Sequence, residues 1–229
     1  LIFKTEGDHD LVAGYDALLA AHQDNWLVRE ITLYWKRTLK RIDVTSRTSF
    51  ALIEPGSCFT GILAELVFAV DRSYMLDGQF EDDDRPAAVL RLNAFNFGPL
   101  PMSNGCTRLE TRFLGEPESV DAAKAMIGED IDAAAALKAG LVTYAPDDID
   151  WEDEIRLVLE ERASFSPDAL TGLEANLRFA GQETAETKIF GRLSAWQNWI
   201  FQRPNAVGEH GALKLYGTGA RPEYNHERV

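Results

Sequence analysis

The chain has 229 residues, 45% hydrophobic and 26% charged, the balance of a globular protein with one large domain or one domain and a substantial extension. Its formal charge of −14 excludes general affinity for nucleic acid or an anionic membrane surface, although a local basic patch could still hold an anionic ligand. Two cysteines, with no CxxC pair and no Cys/His cluster, exclude a disulfide framework and a structural zinc site and fit a reducing, cytoplasmic setting.

Leu1-Ile-Phe-Lys-Thr-Glu-Gly7 reads as a strand and its exit turn, not as a signal peptide, and no apolar run is long enough for a bilayer. A chain that opens without Met in the middle of such a strand is expected to be a processed or truncated product. A helical pattern follows over 11–41, interrupted near Gln23-Asp24-Asn25, with Lys36, Arg37, Lys40 and Arg41 crowding its C-terminal end. A strand is predicted over 49–53. Pro55-Gly56 breaks it, and a helix is predicted over 61–70. Glu81-Asp-Asp-Asp84 marks an acidic surface loop, and a short strand over 88–92 leads into the Asn-, Pro- and Gly-rich stretch 93–105. Helices then dominate, over 106–113, 120–127, 131–139, 151–162 and 170–179. A long one over 183–201 precedes a Gly-rich tail from Pro204. This order predicts an α/β core over 1–145 and a helical region over 146–229.

The segment Ile53-Glu-Pro-Gly-Ser-Cys-Phe-Thr-Gly61 carries the clearest chemical possibility. A strand that stops at Pro-Gly and re-enters a helix is expected to leave backbone N–H groups unpaired, able to hold a developing oxyanion. Glu65, one turn into that helix, is the candidate general acid or base, with a solvated helix residue as the alternative. Ser57 and Cys58 are candidate substrate or oxyanion contacts beside Gly61. The histidines His9, His22, His210 and His226 lie toward the chain ends and suggest no Ser/His or Cys/His arrangement, and a buried thiol is the alternative for Cys58. Asn93, Asn96 and Asn104 could hydrogen-bond a substrate or serve turn geometry alone. The basic cluster, with Arg47, could meet the phosphates of a nucleotide-like ligand or be a solvated helix end. Trp196, Trp199, Ile200 and Phe201 form an apolar face suited to core or subunit packing.

Taken in order, these pieces resemble the crotonase superfamily of CoA-thioester enzymes. Ala51 to Asp71 stands where that family has its strand, Gly-rich turn and helix, and Glu65 where many enoyl-CoA hydratases carry a catalytic glutamate. Asn96-Phe-Gly-Pro-Leu-Pro-Met-Ser-Asn-Gly-Cys-Thr-Arg-Leu109 and Ala136-Leu-Lys-Ala-Gly-Leu-Val142 resemble two further family stretches. The phrases Ala51-Leu-Ile-Glu-Pro-Gly-Ser-Cys-Phe59, Asp71-Arg-Ser-Tyr-Met75, Asp168-Ala-Leu-Thr-Gly-Leu-Glu-Ala-Asn-Leu-Arg-Phe179 and Ala195-Trp-Gln-Asn-Trp-Ile-Phe-Gln-Arg-Pro-Asn-Ala-Val-Gly208 are similar to a ring-opening branch of the superfamily, the benzoyl-CoA-dihydrodiol lyases or 2,3-epoxybenzoyl-CoA dihydrolases.

The resemblance implies a ClpP/crotonase-like layered α/β fold, degenerate and incomplete, with a helical C-terminal extension. It implies the C-terminal part of an enzyme converting 2,3-epoxybenzoyl-CoA and water to 3,4-dehydroadipyl-CoA semialdehyde and formate. The implied partners are a CoA-thioester substrate, a missing N-terminal half and further copies in a homo-oligomer, with no cofactor, metal, nucleic acid or membrane. Two departures count against catalysis in this part. The family's Gly-Gly-Gly is here Gly61-Ile-Leu63, and the second catalytic glutamate of hydratases would fall at Ala94. The better-kept motif and main catalytic residues are therefore expected in the N-terminal half, and the second oxyanion donor near Thr5 to Gly7. A non-catalytic packing domain and a generic hydratase or isomerase are the alternatives.

Overall fold

The computed structural model describes residues 1–178, 181 and 183–228. The chain divides into two compact units, Leu1–Asp43 with Ser49–Glu154, and Val44–Thr48 with Ile155–Val229.

The first unit holds five short strands: β1 (Ile2–Phe3), β2 (Phe50–Ile53), β3 (Phe59–Thr60), β4 (Arg72–Met75) and β5 (Leu90–Arg91). One parallel sheet has the order β1-β2-β4, with Phe50 opposite both Ile2 and Arg72, and β3 pairs in parallel with β5. All four residues of β2 are buried, as the central strand of a parallel sheet covered on both faces requires. Ala51, Ile53, Phe59, Val67, Met75, Leu90, Leu92 and Leu141 close one core around these strands.

Helix α1 (His9–Ala21) starts at Asp8, whose side chain accepts a hydrogen bond from Leu11 N at 2.8 Å. Helix α2 (Trp26–Asp43) follows a break at 22–25, where Asn25 accepts from Leu27 N. Leu39 on α2 joins Leu19, Ile62, Phe95 and Leu100 in a second apolar cluster, and this inward face carries Asp43, the last residue of the helix, into the interior. Helix α3 (Glu65–Ala69) is followed by the 3₁₀ turn Ala94–Phe97 and by α4 (Arg108–Arg112), α5 (Pro117–Ala125) and α6 (Ala133–Lys138). Thr107 and Glu110 cap α4 reciprocally, at 3.1 and 2.6 Å, which sets Arg108 as its first residue.

Helix α7 (Trp151–Ala163) leads into the second unit, which contains α8 (Pro167–Leu177), α9 (Ser194–Ile200), α10 (Pro204–Val207) and α11 (Ala212–Leu215). Buried Glu174 on α8 receives Thr48 Oγ1 and Arg178 Nε, each at 3.1 Å.

Two expectations are corrected, and one strand is added. The turn after β2 does not run directly into a helix: β3 intervenes, and α3 begins at Glu65 after i→i+3 turns over 61–64. The long helix expected over 183–201 is a π-helical stretch, Thr187–Leu193, followed by α9; Gly191 lies inside the stretch, where a missing side chain weakens the α ladder. Strand β4 carries no alternation and was not legible as a strand. Phe179, the expected end of the helix over 170–179, lies outside the described residues.

Candidate functional site

The turn after β2 is closed by its own groups. Ser57 N donates to Glu54 O, and Ser57 Oγ accepts from Glu54 N, both at 2.9 Å. Cys58 N donates to Thr5 Oγ1 at 3.0 Å, which ties the turn to the segment after β1. The Cys58 thiol is fully buried, and burial raises its pKa, so it is a small core side chain without thiolate character. Thr60 Oγ1 lies 2.6 Å from His9 Nδ1. Burial first, and Arg91 second, push the His9 imidazole pKa down.

The amides at the re-entry into the helix, 61–65, are engaged. Gly61 N donates to Arg91 O, Leu63 N to Thr60 O, Ala64 N to Gly61 O and Glu65 N to Ile62 O. Ile62 N donates to a side chain, Asp16 Oδ2 of α1, at 3.0 Å. The same oxygen accepts from Asn93 Nδ2 at 2.6 Å. Gly61 makes this approach possible: its φ is +51°, and a Cβ there would collide with both Asn93 Nδ2 and Asp16 Oδ2. Burial raises the pKa of the Asp16 carboxyl, while Ile62 N and Asn93 pull it down.

Glu65, the first residue of α3, is 1% exposed, so it is neither a solvated helix residue nor open to a ligand in this arrangement. Its Oε1 accepts from Asn96 Nδ2 at 2.7 Å and its Oε2 from Arg108 Nη1 at 2.8 Å. Arg108, also 1% exposed, grips Asp43 with Nε at 3.0 Å and Nη2 at 2.6 Å, and donates to Leu100 O at 3.0 Å. One guanidinium therefore joins α2, α3, α4 and the loop before α4. Burial pushes the Glu65 carboxyl up to about 7; Arg108 and Asn96 oppose that rise, and Asp43 adds to it. Asn96 also donates to Gly61 O at 2.9 Å and accepts from Asn93 N at 2.9 Å.

Of the residues singled out in the sequence, the structure brings Gly61, Glu65, Asn93 and Asn96 into one buried network, and it leaves Ser57 and Cys58 in the adjoining turn. Asn104 serves a local turn, accepting from Cys106 N at 3.0 Å. Arg37 on α2 stands over the Tyr34 ring and 4.0 Å from Glu30. Trp196 and Trp199 pack edge to face in the second unit, with Arg203 over the Trp199 ring. Asp16, Asp43 and Arg108 were not singled out in advance. Only Arg108 had a sequence signal, its place in the Thr-Arg-Leu phrase. Among the described residues no group of three His, Cys, Asp or Glu side chains is arranged to hold a metal, and no helix is long and apolar enough to cross a membrane.

No protein-family model matches the chain. Over 226 residues it is 55% identical to benzoyl-CoA-dihydrodiol lyase of Aromatoleum evansii, an alignment covering 99% of this chain and 40% of that protein. Among solved structures it is similar to an enoyl-CoA hydratase from Geobacillus kaustophilus, with TM-score 0.64 and 19% identity over 87% of this chain and 69% of that one. An enoyl-CoA hydratase/isomerase from Cupriavidus metallidurans gives TM-score 0.64 and 17% identity over 97% of this chain and 77% of that one. The chain thus has the crotonase fold of the enoyl-CoA hydratases.

Proposed function

We propose that the chain belongs to an enzyme that opens the ring of 2,3-epoxybenzoyl-CoA with water, giving 3,4-dehydroadipyl-CoA semialdehyde and formate. The observation that carries this reading is the 55% identity, spread over nearly the whole chain, to a benzoyl-CoA-dihydrodiol lyase. The substrate is a CoA thioester, and water is the only co-reactant the reading requires, so no cofactor is invoked. Two free cysteines suit a cytoplasmic enzyme, and the exposed Ile189, Phe190 and Leu193 suit packing against further copies.

Within that enzyme this chain acts as a framework and does not move protons. Both Glu65 oxygens are held by Asn96 and Arg108, the amides of 61–65 are engaged, and Ala94 supplies no second acid. Proton transfer and thioester polarisation then fall to the portion of the enzyme corresponding to the rest of the longer relative. Incubating the complete natural polypeptide with 2,3-epoxybenzoyl-CoA should release formate, and none released would sink the reaction. In the same protein Glu65→Gln should leave kcat within about threefold, because a carboxylate already held in a buried network is not the proton carrier. A folded E65Q protein that loses most of its kcat would place catalysis here instead.

A further inference from the structure

We propose that the hollow beside Gly61 is an anion cradle of the oxyanion type whose occupant is built into the chain, the Asp16 carboxylate. Two donors from different parts of the fold, Ile62 N at 3.0 Å and Asn93 Nδ2 at 2.6 Å, converge on a single oxygen, Oδ2. A pair of fixed donors aimed at one oxygen is the arrangement that stabilises negative charge at low reorganisation cost. Neither donor is free to turn. Gly61 O, the other end of the peptide that carries Ile62 N, accepts from Asn96 Nδ2 at 2.9 Å and from Ala64 N at 3.0 Å, which fixes that peptide. Asn93 accepts from Phe95 N and donates its own N–H to Asn96 Oδ1, both at 2.9 Å.

The hollow exists because residue 61 has no side chain, since a Cβ there would fall on both the donor amide and the carboxylate. Its occupant is 4% exposed and lies 46 residues away in sequence, so it is no local cap of its own helix. A carboxylate taken that far out of water needs donors directed at it. The ligand chemistry of the cradle is therefore a carboxylate oxygen supplied in cis. While Asp16 occupies it, Ile62 N cannot polarise a thioester carbonyl.

The assignment rests on the geometry of the turn alone, so it does not depend on the substrate proposed above, and formate release by the complete polypeptide does not test it. The test is acetate-dependent thermal unfolding of the complete polypeptide, at fixed ionic strength against chloride. Asp16→Ala empties the cradle, and acetate should raise its midpoint saturably and several-fold more than it raises that of the wild type. Adding Asn93→Ala should abolish the rise. A folded D16A protein that ignores acetate, or a wild type that responds as strongly, overturns the proposal. If D16A does not fold, hydrogen exchange in Asp16→Asn decides. With the charge gone, exchange at Ile62 N should quicken by about tenfold, while Leu63 and Ala64, bonded to backbone carbonyls, keep their protection. Unchanged protection at Ile62 would make Asp16 an ordinary neutral-equivalent cap and refute the assignment.

Discussion

Arg108 faces two carboxylates in a space closed to water, and the three charges do not cancel. Asp43 takes the bidentate grip of Nε and Nη2, Glu65 takes Nη1, and the Asn96 amide covers the other Glu65 oxygen. Above about pH 7, where Glu65 is ionised, removing the cation leaves two buried anions facing one another, which costs roughly 3–5 kcal/mol. Removing the Glu65 charge with Gln keeps the Arg108–Asp43 pair and changes one charge-assisted hydrogen bond, about 1–2 kcal/mol. Urea unfolding should therefore place Arg108→Met well below Glu65→Gln in stability, and equal midpoints would contradict the triad. Legibility at this scale follows sequence distance. Glu65 and Asn96 stand beside breaks in the pattern, at a helix start and in an irregular loop, and both were singled out. Asp16 and Asp43 sit on helices whose periodicity explains them without any ligand, and their partners lie 46 and 65 residues away. Local spacing carries no information about such pairs.

Among the elements, the strand β2 and the breaks around it were readable because a four-residue buried apolar run bounded by Pro-Gly admits few alternatives. Strand β3, only two residues long, has no periodicity to read. It matters all the same, because pairing with β5 brings Asn93 and Asn96 beside the turn and consumes amides that would otherwise face a ligand. Gly61 is the hinge of that construction. Gly105 also has a positive φ, +89°, but has nothing within 4 Å of a would-be Cβ, so the two glycines separate conformational strain from collision. Gly105→Ala should lose only the left-handed backbone penalty, about 1–2 kcal/mol. Gly61→Ala should lose that and the hydrogen bonds of Asn93 and Asp16 as well, roughly 2 kcal/mol more. Thermal unfolding of the pair measures the difference. Equal losses would show that the cradle yields without cost.

For the whole molecule, a formal charge of −14 already favours the unfolded chain at neutral pH through self-repulsion, and the buried carboxyls act in the same sense. Glu65 has an ordinary value of 4.5 and a folded value of about 7, so the folded state binds its proton more tightly than the unfolded state. Stability from this group is fully present below pH 4.5 and is lost as pH rises through about 7. Asp16, also raised by burial, adds to that loss from its own ordinary value of 3.8 upward. His9 runs the other way. Its folded value is lowered, so its contribution is present above its ordinary 6.5 and is lost as pH falls through the folded value. The unfolding free energy should consequently decline from pH 4.5 to 7, and the decline should be shallower in Glu65→Gln, which has no carboxyl to desolvate. Comparing urea unfolding of the two proteins across that window isolates the Glu65 contribution, because Asp16, His9 and the net-charge term remain in both. Parallel profiles would mean that Arg108 keeps Glu65 ionised throughout, and the decline would then belong to Asp16 and the surface charge.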